Sequence, residues 1–363
     1  MDLNPTPEQQ AIAEAVRRWT REQVTPAQLR EWDLLTGGID PRSWQRCAHL
    51  GWFGLAVPTK YGGSGLSLLE IATWFQEAAR GLVPLPVMQA VRGAHALATL
   101  APDAPELAGA ATGEVVVAIA TCEPGTDDPD HWSTTLEHAE QGFRLFGEKT
   151  FVSNAPLATY HLVGARSPKG LSWCLVASTA TNCTEVRTFD GDRQAHVCYR
   201  NAPVARVLVS GSEARKRWRR LQLEAQALAL AEMIGIMDAV LERTVAYVKE
   251  REQFGQKIGV FQAVQHQIAD MATAFTASRH LAWQAVARLH AGTYEGWELD
   301  VARVFVPQAC KRLTLTAHHL HGGAGYVLEH PLHYYSERAV TLCVRYGLER
   351  QALETVAQQW LDS

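Results

Sequence analysis

Three groups of residues in this chain are of types that could do chemistry. His321-Gly322-Gly323-Ala324-Gly325-Tyr326 is a glycine cluster of the kind that lets backbone come close to a phosphate or a ring. The run Arg215-Lys216-Arg217-Trp218-Arg219-Arg220 reads either as a solvated helix end or subunit rim, or as a docking place for the phosphates of a nucleotide-like substrate. Glu232 lies in Ala-Leu-Ala-Leu-Ala-Glu-Met-Ile-Gly-Ile-Met. A charge buried there needs a partner, and a structural ion pair or hydrogen bond to a neighbouring helix would supply one. His318, His319 and His321 stand close together, but no acidic or cysteine partner accompanies them at ligand spacing, so no metal is expected. The seven cysteines (Cys47, Cys122, Cys174, Cys183, Cys198, Cys310 and Cys343) form no C-x-x-C pair, the pattern of reduced thiols.

The elements that must position these groups follow from pattern. Thr6-Pro7-Glu8-Gln9 predicts a helix start: Thr6 can cap, Gln9 can reach back, and Pro7 takes the first helical position, where a missing N–H is harmless. Ile12, Val16 and Trp19 then share one face, and Pro26 ends that helix or closely follows its end. Ser43 to Leu50 predicts a second helix, Pro58 to Gly65 a glycine-rich loop, and Ser67-x-x-Glu70 the cap of a helix running toward Arg80. From Val115 to Ser210 short alternating or β-branched runs, separated by Gly, Pro, Asp and Asn, predict a β domain. After Ser212 the helical period returns, with helices predicted over about Arg215–Glu250, Phe261–Ala291, Leu299–Leu320 and Glu349–Leu361. The first of these is apolar around most of its circumference, which predicts neighbours on several sides. The arrangement is α+β, with the β part inserted into a helical body.

With 363 residues the chain has room for two or three domains, or for one large helical assembly with an insertion. A hydrophobic share of 47% and a charged share of 20% argue against disorder. A net charge of −4 creates no global field toward nucleic acid or an anionic membrane. The opening MDLNPTPEQQ has no basic region followed by an apolar run, and no stretch approaches about 18 uninterrupted apolar residues. The expectation is a cytoplasmic protein with no nucleic-acid partner and no membrane insertion.

Five stretches, in order, resemble the acyl-CoA dehydrogenases over nearly the whole length. They are Pro58 to Ser67, the Cys122-Glu123-Pro124-Gly125 turn, the Lys149-Thr150-Phe151-Val152-Ser153-Asn154 strand, Arg251 to Met271 (REQFGQKIGVFQAVQHQIADM), and the glycine cluster. The closing GGAGYVLEHPLHYYSERA is similar to a bacterial branch associated with fatty-acid and steroid side-chain breakdown. The resemblance implies an N-terminal helical domain over 1–113, a central β-barrel-like domain over 114–211 and a C-terminal four-helix bundle over 212–363. It implies an acyl-CoA substrate, an electron-acceptor flavoprotein, and FAD in a cleft between the β domain and the bundle, its pyrophosphate and adenine reaching a neighbouring subunit. Arg251 would then give a fixed positive charge to the pyrophosphate, with Phe254 and Gly255 near the adenine half. Gly322, Gly323 and Gly325 would let backbone approach the same nucleotide, with His319 where a glutamine usually precedes the glycines. Phe151 aligns with the aromatic shield over the flavin, Ser153 with the hydroxyl that bonds near N5, and Cys122 opens the turn that faces flavin and substrate phosphate.

Four positions depart from the family pattern. The turn from Cys122 to Asp128 lacks the full run of small residues, His319 replaces the glutamine, and Gln226 replaces an arginine that helps bind substrate. The fourth is the usual catalytic glutamate, whose position falls on Tyr346. Desaturation removes an α proton by a base while the β hydride passes to flavin N5, and tyrosine, with an ordinary pKa near 10, is a poor base. Relatives that place the base on the first long helix of the bundle point to Ala225, whose neighbour is Glu224. Three readings stay open: a flavin dehydrogenase using Glu224 or another displaced base, a base-deficient auxiliary subunit of a mixed oligomer in which a homologous chain supplies the base, and a flavin oxygenase on the same fold. The assembly expected is a homo-oligomer or a hetero-oligomer with a homologous acyl-CoA dehydrogenase chain.

Overall fold

The computed structural model describes residues 4–294, 297–345 and 350–361, so Tyr346 and Glu349 lie outside the described residues. In chain order the helices before the strands are Pro7–Gln23 (α1), Pro26–Leu34 (α2), Pro41–His49 (α3), Leu68–Arg80 (α4), Leu85–Leu100 (α5) and Glu106–Thr112 (α6). The strands Val117–Ala120 (β1), Thr135–His138 (β2), Phe143–Ser153 (β3), Tyr160–Ser167 (β4), Gly170–Ala177 (β5), Asn182–Val186 (β6) and Gln194–Ser210 (β7) follow. Next come Ser212–Glu250 (α7), the short strands Glu252–Gln253 (β8) and Gln256–Lys257 (β9), then Gln262–Ala291 (α8), Trp297–His321 (α9), Leu332–Arg345 (α10) and Arg350–Leu361 (α11). The chain divides into two units. One is Met1–Arg30, Ser67–Val83 and Leu223–Ser363, the other Glu31–Leu66 and Pro84–Gln222.

The first unit is helical. Both expected capping boxes are present: the Thr6 hydroxyl accepts from the Gln9 amide while Gln9 reaches back to the Thr6 amide, and Ser67 and Glu70 do the same at the head of α4. These contacts satisfy amides that a helix start leaves without partners. The body of α7 is buried without a break from Ala227 to Met237, as its apolar circumference predicts. At Gly235 a Cβ would stand 1.9 Å from the Gln76 carbonyl oxygen, so α7 meets α4 where only glycine fits. The C-terminal end of α4 is held by α10: the Tyr335 hydroxyl donates to the Arg80 carbonyl at 2.8 Å and Arg338 to the Val83 carbonyl at 3.0 Å. Arg17 forms a two-pronged pair with buried Glu77, at 2.6 and 2.7 Å.

In the second unit the sheet closes on itself. β5 pairs antiparallel with both β4 and β7, β7 pairs with β3, β3 with β2, and β2 returns to β4 through a parallel contact at Thr135 and Arg166. β1 adds in parallel to β4, and β6 adds to β7. Side chains of Leu145, Val163, Cys174, Val197 and Tyr199 fill one core of this barrel. A second core joins Trp132, Trp173, Trp218 and Leu175 to Leu97 and Leu100 of α5. Helices α2, α5, α6 and α10 are absent from the sequence-based expectation, which read Pro26 as ending a helix or closely following its end, where the structure begins another. α5, with nearly every residue buried, offers no polar face from which a helical period could be read. No described helix is long and apolar enough to cross a membrane.

Candidate functional site

Cys122, Phe151 and Ser153 meet in the barrel unit. Between Lys149, opposite Val197, and Val152, opposite Ala195, β3 spends one residue more than β7. The result is a β-bulge, which bends a strand and re-aims its side chains. Phe151 sits in it at φ 53°, 58% exposed, its ring 5.5 Å from that of His196. It is therefore a presented aromatic rather than a core one. The Thr150 amide donates to the Cys122 carbonyl at 2.8 Å, which sets Cys122 beside the bulge. The residue after the strand, Asn154, is also left-handed at φ 60°. Its side-chain amide donates to the Pro86 carbonyl at 2.8 Å and its backbone amide to the Arg193 carbonyl at 2.6 Å.

The Ser153 hydroxyl donates to Asp192 Oδ2 at 2.6 Å, and Gln194 Nε2 donates to the same oxygen at 2.9 Å. Asp192 is 2% exposed. Neither Asp192 nor Gln194 is among the sequence-predicted site residues. Only the pairing of Ser153 with Gln194 across β3 and β7 would have exposed them.

Below the bulge, Lys149 Nζ lies 2.8 Å from Glu123 Oε1 and 3.7 Å from the centroid of the Trp132 ring. Burial draws Lys149 down to about 8, against the pull of Glu123. Burial pushes Glu123 up, but Lys149 and the hydrogen bonds from Thr134 and Ser133 outweigh it and hold the carboxyl at about 2. The Glu123 and Thr126 backbones bond to each other at 2.8 and 3.1 Å. The turn after Cys122 thus spends both of these amides on itself.

Arg251, Phe254, Gly255, His319, Gly322 and Gly323 belong to the helical unit. One turn before Arg251, the Tyr247 hydroxyl donates to the His321 carbonyl at 3.2 Å and its ring stacks on the imidazole, with centroids 4.3 Å apart. This contact fastens the end of α7 to the end of α9, and so brings together two motifs that the sequence separates. β8 and β9 form a two-residue hairpin, with Phe254 at φ 54° and Gly255 at φ 79° on its tip, both left-handed as such a tip requires. Phe254 is 92% exposed, and Arg251 is exposed at the base of the hairpin, its carbonyl accepting from Ile258 at 2.8 Å. His319, Gly322 and Gly323 are exposed, and open space surrounds the position of a Cβ at either glycine. His321 is buried, its Nδ1 2.8 Å from the Ala317 carbonyl, and burial lowers its pKa.

Glu224 is 3% exposed and lies on the face of α7 that also buries Leu221, Ala227 and Leu228, whereas Ala225 and Gln226 are half-buried. In the basic run, Arg215 pairs with Asp130, and Arg217 pairs with Glu213 at 2.7 Å and donates to the Leu100 carbonyl at 2.8 Å. Lys216, Arg219 and Arg220 remain exposed. No group of three or more metal-ligating side chains is assembled among the described residues.

The donor set has a definite chemistry. A phenylalanine at positive φ costs on the order of 1–3 kcal/mol, and at Phe151 and Phe254 no burial offsets that cost. On the barrel unit an exposed aromatic face and a hydroxyl two residues apart fit the edge of a planar ring, and on the helical unit an exposed guanidinium and bare glycine turns fit a phosphate.

Comparisons with known proteins identify the family. Residues 6–104 match the family described as acyl-CoA dehydrogenase, N-terminal domain, and residues 219–360 match acyl-CoA dehydrogenase, C-terminal domain. The chain is 30% identical over 344 residues to acyl-CoA dehydrogenase FadE28 of Mycobacterium tuberculosis, covering 93% of this chain and 92% of that one. It is similar in structure to the ChsE4–ChsE5 complex from Mycobacterium tuberculosis, with TM-score 0.88 and 26% identity across 100% of both chains. A steroid ACAD variant, Tcur3481–Tcur3483, matches with TM-score 0.87 and 28% identity over 98% of both chains. With both terminal domains matched and a 30% identical relative aligned along almost its full length, this chain belongs to the acyl-CoA dehydrogenase family.

Proposed function

We propose that this chain binds FAD and serves the α,β-desaturation of an acyl-CoA thioester as one subunit of an oligomer. The observation that carries this reading is the bulge in β3, which holds Phe151 out of the barrel at a strained φ beside the hydroxyl of Ser153. An aromatic cover and a hydroxyl two residues apart suit the flat ring and the N5 edge of a flavin. When bound, FAD supplies the acceptor for the β hydride. Phe151 would exclude water from the ring, Ser153 would face its N5 edge, and Arg251 would neutralise the pyrophosphate near the backbone of Gly322 and Gly323. Phe254, at the exposed hairpin tip, would pack against the adenine half. Glu224, a carboxylate held out of bulk water, takes the α proton. An acceptor flavoprotein would take up the electrons.

A second reading is favoured by one finding, the full-length similarity to a chain of the ChsE4–ChsE5 complex. In it this chain contributes flavin-facing residues to a mixed oligomer while a homologous partner supplies the base. The steroid ACAD neighbour supports a bulky, steroid-like acyl group as the substrate class for either reading.

The test is purification of the chain alone and after co-expression with any homologous chain encoded beside it. Yellow protein that bleaches with an acyl-CoA when alone, and stops doing so in Glu224→Gln, supports the first reading. Protein that takes up FAD and bleaches only in the mixed complex supports the second, and failure to bind FAD in both preparations overturns both.

A further inference from the structure

The hydroxyl of Ser153 has one proton, and that proton is already committed. Its oxygen lies 2.6 Å from Asp192 Oδ2, the separation of a strong hydroxyl–carboxylate bond. Asp192 cannot turn away easily. Its amide donates to Asp190 Oδ1 at 3.2 Å, its carbonyl accepts from the Thr188 hydroxyl at 3.0 Å, and its Oδ2 also accepts from Gln194. The adjoining Arg193 donates to the carbonyls of Asp33 and Leu35 at 2.9 and 2.8 Å, which pins the segment from the other side. A hydroxyl that donates inward can offer only lone pairs outward.

We infer that Asp192 is a positioning residue that fixes Ser153 as a hydrogen-bond acceptor toward flavin N5. The inference rests on the flavin reading proposed above. N5 of an oxidised flavin has a lone pair and seeks a donor, whereas N5 of a reduced flavin carries a hydrogen and seeks an acceptor. With its proton held by Asp192, Ser153 complements the reduced form alone. The contact is absent before hydride transfer and forms as N5 gains its hydrogen, so it favours the product side of the half-reaction.

The test uses the full chain, with its partner if FAD uptake requires one, loaded with FAD labelled with ¹⁵N at N5. In the oxidised state the N5 resonance of Ser153→Ala is expected to coincide with that of the unaltered protein, because no bond to N5 is lost. In Asp192→Ala the freed Ser153 proton turns outward and the oxidised N5 resonance moves upfield, and Ser153→Ala on top of Asp192→Ala removes that shift. The midpoint potential of the bound flavin is expected to fall in Ser153→Ala, which loses an acceptor for the reduced N5–H. A Ser153→Ala protein whose oxidised N5 resonance moves overturns the inference, because Ser153 then donates to N5. This comparison stands even if Asp192→Ala does not fold. A protein that takes up no FAD overturns the cofactor reading first, and this inference with it; that result shows in the visible spectrum before any N5 measurement.

Discussion

The ring of Tyr247 lies stacked on that of His321 while its hydroxyl donates to the His321 carbonyl, so the hairpin after α7 and the glycine turn after α9 share one fastening. Tyr247→Phe removes only the hydrogen bond and is expected to cost about 1 kcal/mol. Tyr247→Ala also removes the stacked face and leaves the two motifs free to separate. FAD titration of the apoprotein should show a modest loss of affinity for the first variant and a loss of at least about tenfold for the second, given that about 1.4 kcal/mol is tenfold. Equal affinity in all three proteins would show that the fastening does not shape the surface proposed for the nucleotide.

The Lys149–Glu123 pair is buried on both sides. Removing one partner strands the other, and Glu123→Ala is expected to cost about 3–5 kcal/mol, read as a lower urea midpoint. The pair also sets a pH limit. Glu123 is held at about 2, below its ordinary 4.5, so its contribution is complete above pH 4.5 and is lost as pH falls toward 2.

His161 lies fully buried in the barrel beside Tyr199, and burial holds it down to about 4 from an ordinary 6.5. The unfolded chain takes up this proton first as pH falls. Stability from His161 is therefore complete above pH 6.5 and declines between 6.5 and 4, by up to about 3 kcal/mol. His318, His321 and His330 are lowered as well, chiefly by burial, and act with the same sign. Melting curves from pH 7 to 4 should slope less steeply for His161→Leu than for the unaltered chain, and identical slopes would rule this source out.

Phe151 trades backbone strain for position. Phe151→Gly removes the left-handed penalty and is expected to raise the apoprotein's stability by about 1 kcal/mol. It should also weaken FAD binding and speed the reaction of reduced flavin with oxygen, because water reaches the ring. Stopped-flow reoxidation checks the second effect and thermal denaturation the first.

At Gly235 the new Cβ of Gly235→Ala would strike the Gln76 carbonyl oxygen. The variant is expected to lose about 1–3 kcal/mol or more, since backbone rather than a flexible side chain blocks it. An unchanged melting temperature would mean that α4 and α7 can move apart at no cost.

What could be read in the sequence was mostly local. Thr6 with Gln9, and Ser67 with Glu70, announce helix starts because both ends of each contact lie within one turn. The long helices of the bundle announce themselves by period, and the barrel strands by their β-branched runs. Resemblance added Phe151, Ser153 and Arg251. The bulge that re-aims Phe151 could not be read, because it is a mismatch between β3 and a strand that begins some forty residues later in the chain. Asp192 escaped for the same reason: its meaning comes from Ser153, 39 positions away. α10 gave no clear helical signal, its aromatic and basic residues being divided between buried contacts such as Tyr335 and Arg338 and an exposed face at Val340 and Val344.

The hairpin tip doubles as a natural footprinting probe. Phe254 stands almost wholly in water on a two-residue turn, an accessible site for a protease that cuts after aromatic residues. The rate of that single cut would count uncovered tips in a population of molecules. Slowed by added nucleotide or by a second chain, it would report assembly without a chromophore, a substrate or a turnover.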